Sequence, residues 1–522
     1  MTRLPQYVMA IDAGTGSCRA VVFDREGRQV SIAQHEWSHR PLPGAPGSQV
    51  FETGRNWRLI SHCVREALFS GSVEPSQIKA VSASSMREGM VLYDVRGREV
   101  WACPNVDSRA TDEASLMVED GLAEKIFSES GDWVSITAPP RFLWIKKNRP
   151  DIFRRIAHVG MLSDWILYRL SGRFVTDPSV GSSSAMFDLK HRRWSRVIPE
   201  LCGLKAEIFP EVVESGNEVG AVTAEAASET GLSTGTPVVT GGGDTQMGLL
   251  GIGAGAANRI TIVGGSFWQT TVLMEKPLID KKIRLRTLCH AVPGEWMMEG
   301  IGFYCGLTMR WFRDGFCQSE KEEARRHGTD AYSIMEELAR TVPPGSEGVL
   351  GVFSNLMDSR RWIHASPALM QFDIGNPGRS GKKECIRAIE ESAAYVALGH
   401  LRIIEAITKI RTDRVTLTGG ASKGTLWPQV VSDVLGVEVK IPVIKESTSL
   451  GAAICAGRGA GWYDDVQRAA VGLARAEKTV EPSRRNHELY RALYSNWLEV
   501  YDRSLSMVED GLLRPLWRAA GT

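Results

Sequence analysis

Thr240-Gly241-Gly242-Gly243-Asp244-Thr245-Gln246-Met247-Gly248 sets a single carboxylate directly behind three glycines. The apolar run 236–240 ahead of it reads as a strand, so the expected order is strand, tight turn, carboxylate. Glycine lets a backbone turn sharply and lets a ligand approach without interference from a Cβ. A carboxylate presented at such a point suits a general base that takes a proton from a hydroxyl. The same letters also describe a plain turn whose aspartate caps the following helix. The rest of the chain has to decide between the two.

Upstream, residues 7–11 read as a buried strand, Asp12-Ala-Gly-Thr-Gly-Ser17 as a hairpin turn, and 19–23 as the return strand. A third strand follows over 29–37. Trp57, Ile60, Val64, Ala67 and Leu68 then recur at helical spacing within 56–69, and 78–82 is again a strand. Downstream a related order appears: strand 259–263, the turn Gly264-Gly265-Ser266, and strand 268–273. Strand 414–417, a glycine-rich turn over 418–424, helix 426–435, strand 437–441 and a small-residue helix at 448–457 complete it. Two α/β domains of related layout, joined near 251–257, are expected. A long amphipathic helix is expected over 383–407, and helices in the charged tail 464–522.

The totals agree with this division and exclude several classes of function. A chain of 522 residues is too long for one hydrophobic core. With 43% hydrophobic and 24% charged residues it has the composition of an ordinary globular protein. A formal charge of +1 gives no electrostatic argument for nucleic acid or an anionic membrane. No apolar run approaches the ~18 residues of a membrane helix. The start of the chain runs straight into a strand and Asp12, so no signal peptide is expected. Nine cysteines without a C-x-x-C pair read as scattered core thiols of a cytoplasmic protein.

Several stretches carry candidate chemistry. The hairpin Asp12-Ala-Gly-Thr-Gly-Ser-Cys-Arg19 offers several backbone N–H donors to one anion, and Asp12 at the strand end suits Mg²⁺ held through water. A plain hairpin fits those residues too. Gly264-Gly265-Ser266 could clasp the same phosphates from the other side. Gly419-Gly420-Ala421-Ser-Lys-Gly424 would let an adenine ring lie against bare backbone near a helix N-terminus. Three glycine turns at strand ends, with Asp244 between them, point to a nucleotide in an interdomain cleft. In Met86-Arg87-Glu88-Gly89 an adjacent cation and anion can donate to and accept from the oxygens of a neutral polyol. Read alone, the pair is better taken as a surface ion pair of little worth. Asn105-Val-Asp107-Ser-Arg109 is a similar polar cluster after a strand ending near Trp101.

Two strings mislead. Gly378-Arg-Ser-Gly-Lys-Lys383 lacks the spacing of a phosphate loop and reads as a solvated loop. His35-Glu-Trp-Ser-His39 matches the zinc-peptidase string, which needs a helix to bring both imidazoles to one face. Here it ends a strand, where the two histidines would stand ~13 Å apart, and it is read as coincidence.

With these residues in place the chain resembles the FGGY family of carbohydrate kinases over nearly its whole length. The landmarks run in family order: Asp12-x-Gly14-Thr15, Arg87-Glu88, the glycines ending at Asp244, Gly264, Glu299-Gly300 with Gly306 and Trp311-Phe-Arg-Asp314, and Gly419-Gly420-Ala421. The strings Ser85-Met-Arg-Glu-Gly89, Asn105-Val-Asp-x-Arg-Ala110, Ser163-Asp-Trp165, Gly264-Gly-Ser-Phe-Trp-Gln269, Gly306-Leu-Thr-Met-Arg-Trp-Phe-Arg-Asp314 and Val443-x-Lys-Glu446 resemble one branch of it. That branch phosphorylates the quorum-sensing signal 4,5-dihydroxypentane-2,3-dione.

The resemblance implies two actin-like ATPase (ribonuclease H-like) domains with an interdomain cleft. The first, 1–252, would hold substrate and the catalytic aspartate. The second, 253–522, would hold nucleotide and end in a helical tail. It implies Asp244 as the base, Mg²⁺ between Asp12 and Asp244, and ATP met by Gly14, Thr15, Gly16, Ser17 and Arg19. Gly264, Gly265, Ser266, Gly306, Arg310, Gly419, Gly420, Ala421 and Gly424 would line the nucleotide site. Arg87, Glu88, Asp107, Asp244 and Gln246 would meet the substrate. The family often has Thr where this chain has Gly265, and Ser266 would supply the hydroxyl. The aromatic that contacts substrate in glycerol kinases is missing from 136–140, which argues against glycerol. Alternatives are a ketopentose kinase acting on xylulose or ribulose, and an actin-fold sugar sensor without transfer. The quorum-signal reading carries with it a phosphocarrier, HPr, as partner, to which no residue in the sequence points.

Overall fold

The computed structural model describes residues 5–255, 259–443 and 446–519. The first strands are β1 (Tyr7–Ala13), β2 (Ser17–Phe23) and β3 (Gln29–Glu36), an antiparallel meander. Helix α1 (Thr53–Ser70) buries Trp57, Ile60, Val64, Ala67 and Leu68, the side chains whose spacing predicts it. Strand β4 (Ile78–Ser85) then pairs parallel to β1. Three further strands, β5 (Met90–Tyr93), β6 (Glu99–Cys103) and β7 (His158–Met161), form a small separate sheet. Of these, β6 is the strand expected to end near Trp101, while β5 and β7 are unexpected. The chain returns through β8 (Glu218–Ala221) to β9 (Pro237–Gly243), which is parallel to β4, and α2 (Asp244–Gly251) follows without a break. The resulting order is β8-β9-β4-β1-β2-β3.

The second half repeats the plan. Strands β10 (Ile260–Gly264) and β11 (Trp268–Met274) precede the hairpin of β12 (Arg286–Cys289) and β13 (Trp296–Gly302), and β10, β11 and β13 make the antiparallel meander. After helices α3 (Cys305–Phe316) and α4 (Lys382–Thr408), β14 (Arg414–Thr418) pairs parallel to β10. Helix α5 (Leu426–Leu435) then leads to β15 (Glu438–Pro442), parallel to β14. Both sheets therefore carry a meander whose first strand lies beside two parallel strands. Helix α6 (Ser447–Gly459), strand β16 (Ala476–Val480) and helix α7 (Arg484–Glu509) complete the chain. This is the two-domain α/β arrangement expected from the residues.

Three expectations are corrected. Gly241, Gly242 and Gly243 make no tight turn: they lie inside β9, and none has a positive φ. Their reason is close approach, since a Cβ on Gly241 would stand 2.0 Å from the carbonyl oxygen of Ala83 on β4. Helix α4 is not amphipathic, because Glu384, Arg387, Glu390, Glu391 and His400 are buried together with its apolar residues. The tail is not all helical, because β16 adds an antiparallel edge to the second sheet. The expected interdomain join reaches Ala256 and Ala257, and the string after Val443 includes Lys445; all three lie outside the described residues.

Helix α6 does not stay with its own half. It packs on β1, β4, β9 and α2, and its Leu450, Ala453 and Ile454 share a core with Val8, Ala10 and Val239. Small residues permit this crossing: a Cβ on Gly451 would lie 2.0 Å from the carbonyl oxygen of Met247.

Candidate active site

The carboxyl ends of β1, β4 and β9 lie side by side, and the strand register places two aspartates there. Asp12 is level with Ser84 of β4, and Gly243, just before Asp244, is level with Ser85. Ser84 Oγ donates to Asp12 Oδ1 at 2.7 Å, and Arg19 Nε stands 3.6 Å from Asp12 Oδ2. Burial raises the Asp12 carboxyl above its usual range against the pull of Arg19. Arg19 also donates to Glu446 Oε2 at 2.6 Å, which links the first hairpin to the start of α6.

Asp244 is the first residue of α2, where the backbone N–H of Thr245 donates to its Oδ1 at 2.7 Å. Arg87 Nε stands 3.7 Å from the same oxygen. The side chain keeps 38% of its surface in the cleft, yet the enclosing walls push the carboxyl up to about 6. Arg87 opposes that rise, and Asp12 and Glu88 add to it. A carboxylate titrating just below neutrality is charged at physiological pH and basic enough to accept a proton.

The cleft in front of Asp244 has a volume of ≈ 1030 Å³ and reaches Gly419, Gly420 and Gly424 of the second half. A second cavity of ≈ 460 Å³ is lined by Gly264, Gly265, Ser266, Gly306, Arg310 and Ala421, and shares Gly420 and Gly424 with the cleft. The glycine turns are in contact with one another, since a Cβ on Gly419 would fall 2.8 Å from the carbonyl oxygen of Gly264, and α3 closes on them, since a Cβ on Gly306 would fall 2.1 Å from that of Gly265. An elongated ligand lying along these turns would have one end at Asp244.

Residues 7–251 match the N-terminal domain of the FGGY family of carbohydrate kinases, and residues 260–460 match its C-terminal domain. The chain belongs to the FGGY family of carbohydrate kinases. It is accordingly a phosphotransferase with an alcohol group as acceptor. This FGGY kinase is 43% identical over 518 residues to the autoinducer-2 kinase of Yersinia enterocolitica, covering 99% of this chain and 98% of that protein. Over the same length and coverage it is 44% identical to the autoinducer-2 kinase of Yersinia pseudotuberculosis serotype O:3. Xylulose kinase from Rhodospirillum rubrum shares the fold, with a TM-score of 0.84 at 22% identity over 97% of this chain and 100% of that one.

The other expected residues of this FGGY kinase fall into distinct places. The turn Gly14-Thr15-Gly16-Ser17 sits at the Asp12 end, braced by Trp37 Nε1 donating to the Gly14 carbonyl at 3.0 Å and Asn105 Nδ2 donating to Thr15 Oγ1 at 3.1 Å. Neither cavity is lined by this turn or by Arg19. Arg87 and Glu88 are buried behind Asp244, so the surface-pair reading of them does not hold. Arg87 donates to Glu299 Oε1 at 2.8 Å, while Arg286 donates to Glu299 at 2.5 Å and to Glu88 at 2.8 Å. Asp107 is fully engaged by Arg109, at 2.8 Å, and by the backbone N–H of Gln49, at 2.6 Å. Gln246 is buried and donates to the carbonyls of Ser179 and Cys289 at 3.2 and 3.3 Å. His39 meets the Thr15 carbonyl at 2.9 Å and His35 turns to Glu66, so the zinc-peptidase string brings no shared ligand pair.

Three residues were missed. Arg286 and Asp132, 3.4 Å apart, join the buried charge cluster, and Glu390 lines the second cavity with its carboxyl pushed up to about 8 by burial. No local spacing marks any of them.

Proposed function

We propose that this enzyme transfers the γ-phosphoryl group of ATP to the terminal hydroxyl of 4,5-dihydroxypentane-2,3-dione. Near-complete alignment with the two Yersinia autoinducer-2 kinases supports the substrate. The observation that carries the chemistry is Asp244, which faces a cleft walled by the glycine turns of the other lobe. In this reading the lobes divide at 252/253, and ATP lies along Gly264–Ser266, Gly306, Arg310 and Gly419–Gly424.

The hydroxyl oxygen attacks the γ-phosphorus, the bond to the bridging oxygen breaks, ADP leaves, and Asp244 takes the hydroxyl proton. General-base help of this kind contributes about 10²–10⁴-fold, and positioning supplies most of the remainder. Arg87 keeps Asp244 oriented, and its own place is held by Glu299. Two neighbouring carboxylates, one buried and one facing the cleft, whose proton affinities are raised suit a divalent cation, so Asp12 and Asp244 would hold Mg²⁺. When bound, that ion offsets charge on the phosphates. Closure of the lobes excludes water, which would otherwise accept the phosphoryl group. Nine buried free thiols fit a reducing, cytoplasmic setting, and no described helix is long and apolar enough to cross a membrane.

The test is a panel of 4,5-dihydroxypentane-2,3-dione, xylulose, ribulose and glycerol, scored by ADP release and by detection of the phosphorylated product. The dione should give the highest kcat/KM. A higher value for a ketopentose would overturn the substrate. Nucleotide binding without any product would make the protein a sensor.

A further inference from the structure

We propose that His35, His62 and Glu66 form a binding site for one divalent transition-metal ion of the zinc type, on the outer face of the first lobe and separate from the catalytic cleft. His62 and Glu66 stand four residues apart on α1 and therefore share one face of that helix. His35 projects from β3, the edge strand of the sheet on which α1 packs. His35 Nε2 lies 2.7 Å from Glu66 Oε2 and His62 Nε2 lies 3.1 Å from Glu66 Oε1. One ligand atom from each of the three lies within 4.8 Å of the others, and the two imidazole centroids are 4.8 Å apart.

The donor set is the reason for choosing zinc. Two imidazole nitrogens and one carboxylate oxygen, with a fourth position open to water, is an established zinc environment with bonds of about 2.0–2.2 Å. Such bonds at tetrahedral angles separate neighbouring ligand atoms by roughly 3.3–3.5 Å. The 2.7 and 3.1 Å spacings end on the two different oxygens of Glu66, and a set of one atom from each residue spans at most 4.8 Å, so side-chain rotation brings the three donors to that range. Oxygen-only cations such as Mg²⁺ have no preference for this set. The three side chains keep 31%, 49% and 44% of their surface exposed, so an ion can enter without the backbone opening.

The site ties α1 to the edge strand next to the first glycine turn. His35 is level with Cys18, and Glu36 is level with Ser17, the last residue of that turn. An ion there would hold the hairpin and α1 together, and its first effect would be on the stability of this lobe. The competing occupant is a proton, with the three residues forming only a hydrogen-bonded chain.

The experiment uses tag-free, chelator-treated full-length protein in excess Mg²⁺, which fills the Asp12 and Asp244 region. It is titrated with Zn²⁺ by calorimetry and with Co²⁺ by visible absorption. One equivalent should bind, thermal stability should rise, and Co²⁺ should give the intense d–d bands of a low-coordinate site. His35→Ala and His62→Ala should each weaken binding at least about tenfold and remove those bands, with turnover and metal-free thermal stability showing that both variants fold. Absence of a stoichiometric site in the parent protein, or equal binding in both variants, would overturn the proposal.

Discussion

Arg87 of the first lobe donates to Glu299 of the second at 2.8 Å while its Nε stands 3.7 Å from Asp244. The arginine beside Asp244 is thus itself anchored across the lobe boundary. Arg87 and Glu299 are both buried, at 5% and 0% side-chain exposure, so neither charge has water as an alternative partner. Any motion that parts the lobes has to break or carry this pair.

Replacing the base tests the chemistry directly. Asp244→Asn should lower single-turnover phosphorylation by about 10²–10⁴-fold and leave ATP affinity within a small factor. Rapid-quench measurement with the variant decides the matter, and near-normal product formation would remove Asp244 from its role.

The pH dependence follows from the same carboxyl. Its affinity for the proton is raised, so the charged, active form is present above about 6 and is lost as pH falls through that value. kcat/KM should drop about tenfold per pH unit on the acid side. Arg87 opposes the rise, so Arg87→Met should move the acid limb to higher pH. A limb at the ordinary carboxylate value of about 4 would contradict the burial argument.

Glu299→Ala leaves Arg87 and Arg286 facing each other without a shared anion. Breaking a buried pair in this way costs about 3–5 kcal/mol, to be read from the denaturant midpoint. The KM for the alcohol should rise more than the KM for ATP, because in the proposed reading Arg87 belongs to the acceptor site, and neither arginine lines the cavities of the glycine turns. An unchanged midpoint would show that water reaches this cluster.

Gly451→Val tests the helix crossing. With only 2.0 Å to the Met247 carbonyl, the added carbons force α6 and α2 apart, at a cost of about 1–3 kcal/mol in stability. Because α2 begins with Asp244, turnover should fall as well. Unaltered thermal stability and turnover would mean that the crossing relaxes freely.

Much of the candidate site was legible before any contact was known. Asp12 and Asp244 each follow an apolar strand, and glycines mark where backbone must come close. The physical cause at Gly241 was different from the one expected, because a neighbouring strand's carbonyl, invisible along the chain, imposes it. Helix α4 misled for a similar reason. Its apolar spacing is real, but its charged residues are also buried, as with Arg387 donating to Glu391 at 3.1 Å and to Tyr490 at 2.8 Å.

The sequence by itself determined strands β1–β4, β9–β11, β14 and β15, helices α1, α4, α5 and α6, the strand-end position of the two aspartates and the family. These depend on hydrophobic spacing and turn chemistry between residues close in the chain. Only the tertiary structure decided that Arg87 would find Glu299, 212 residues away, that α6 would lie on the other lobe's sheet, and that His35 would meet His62 and Glu66 rather than His39. A buried charge must have a partner, but which one depends on packing across the whole molecule, and no local pattern records that choice.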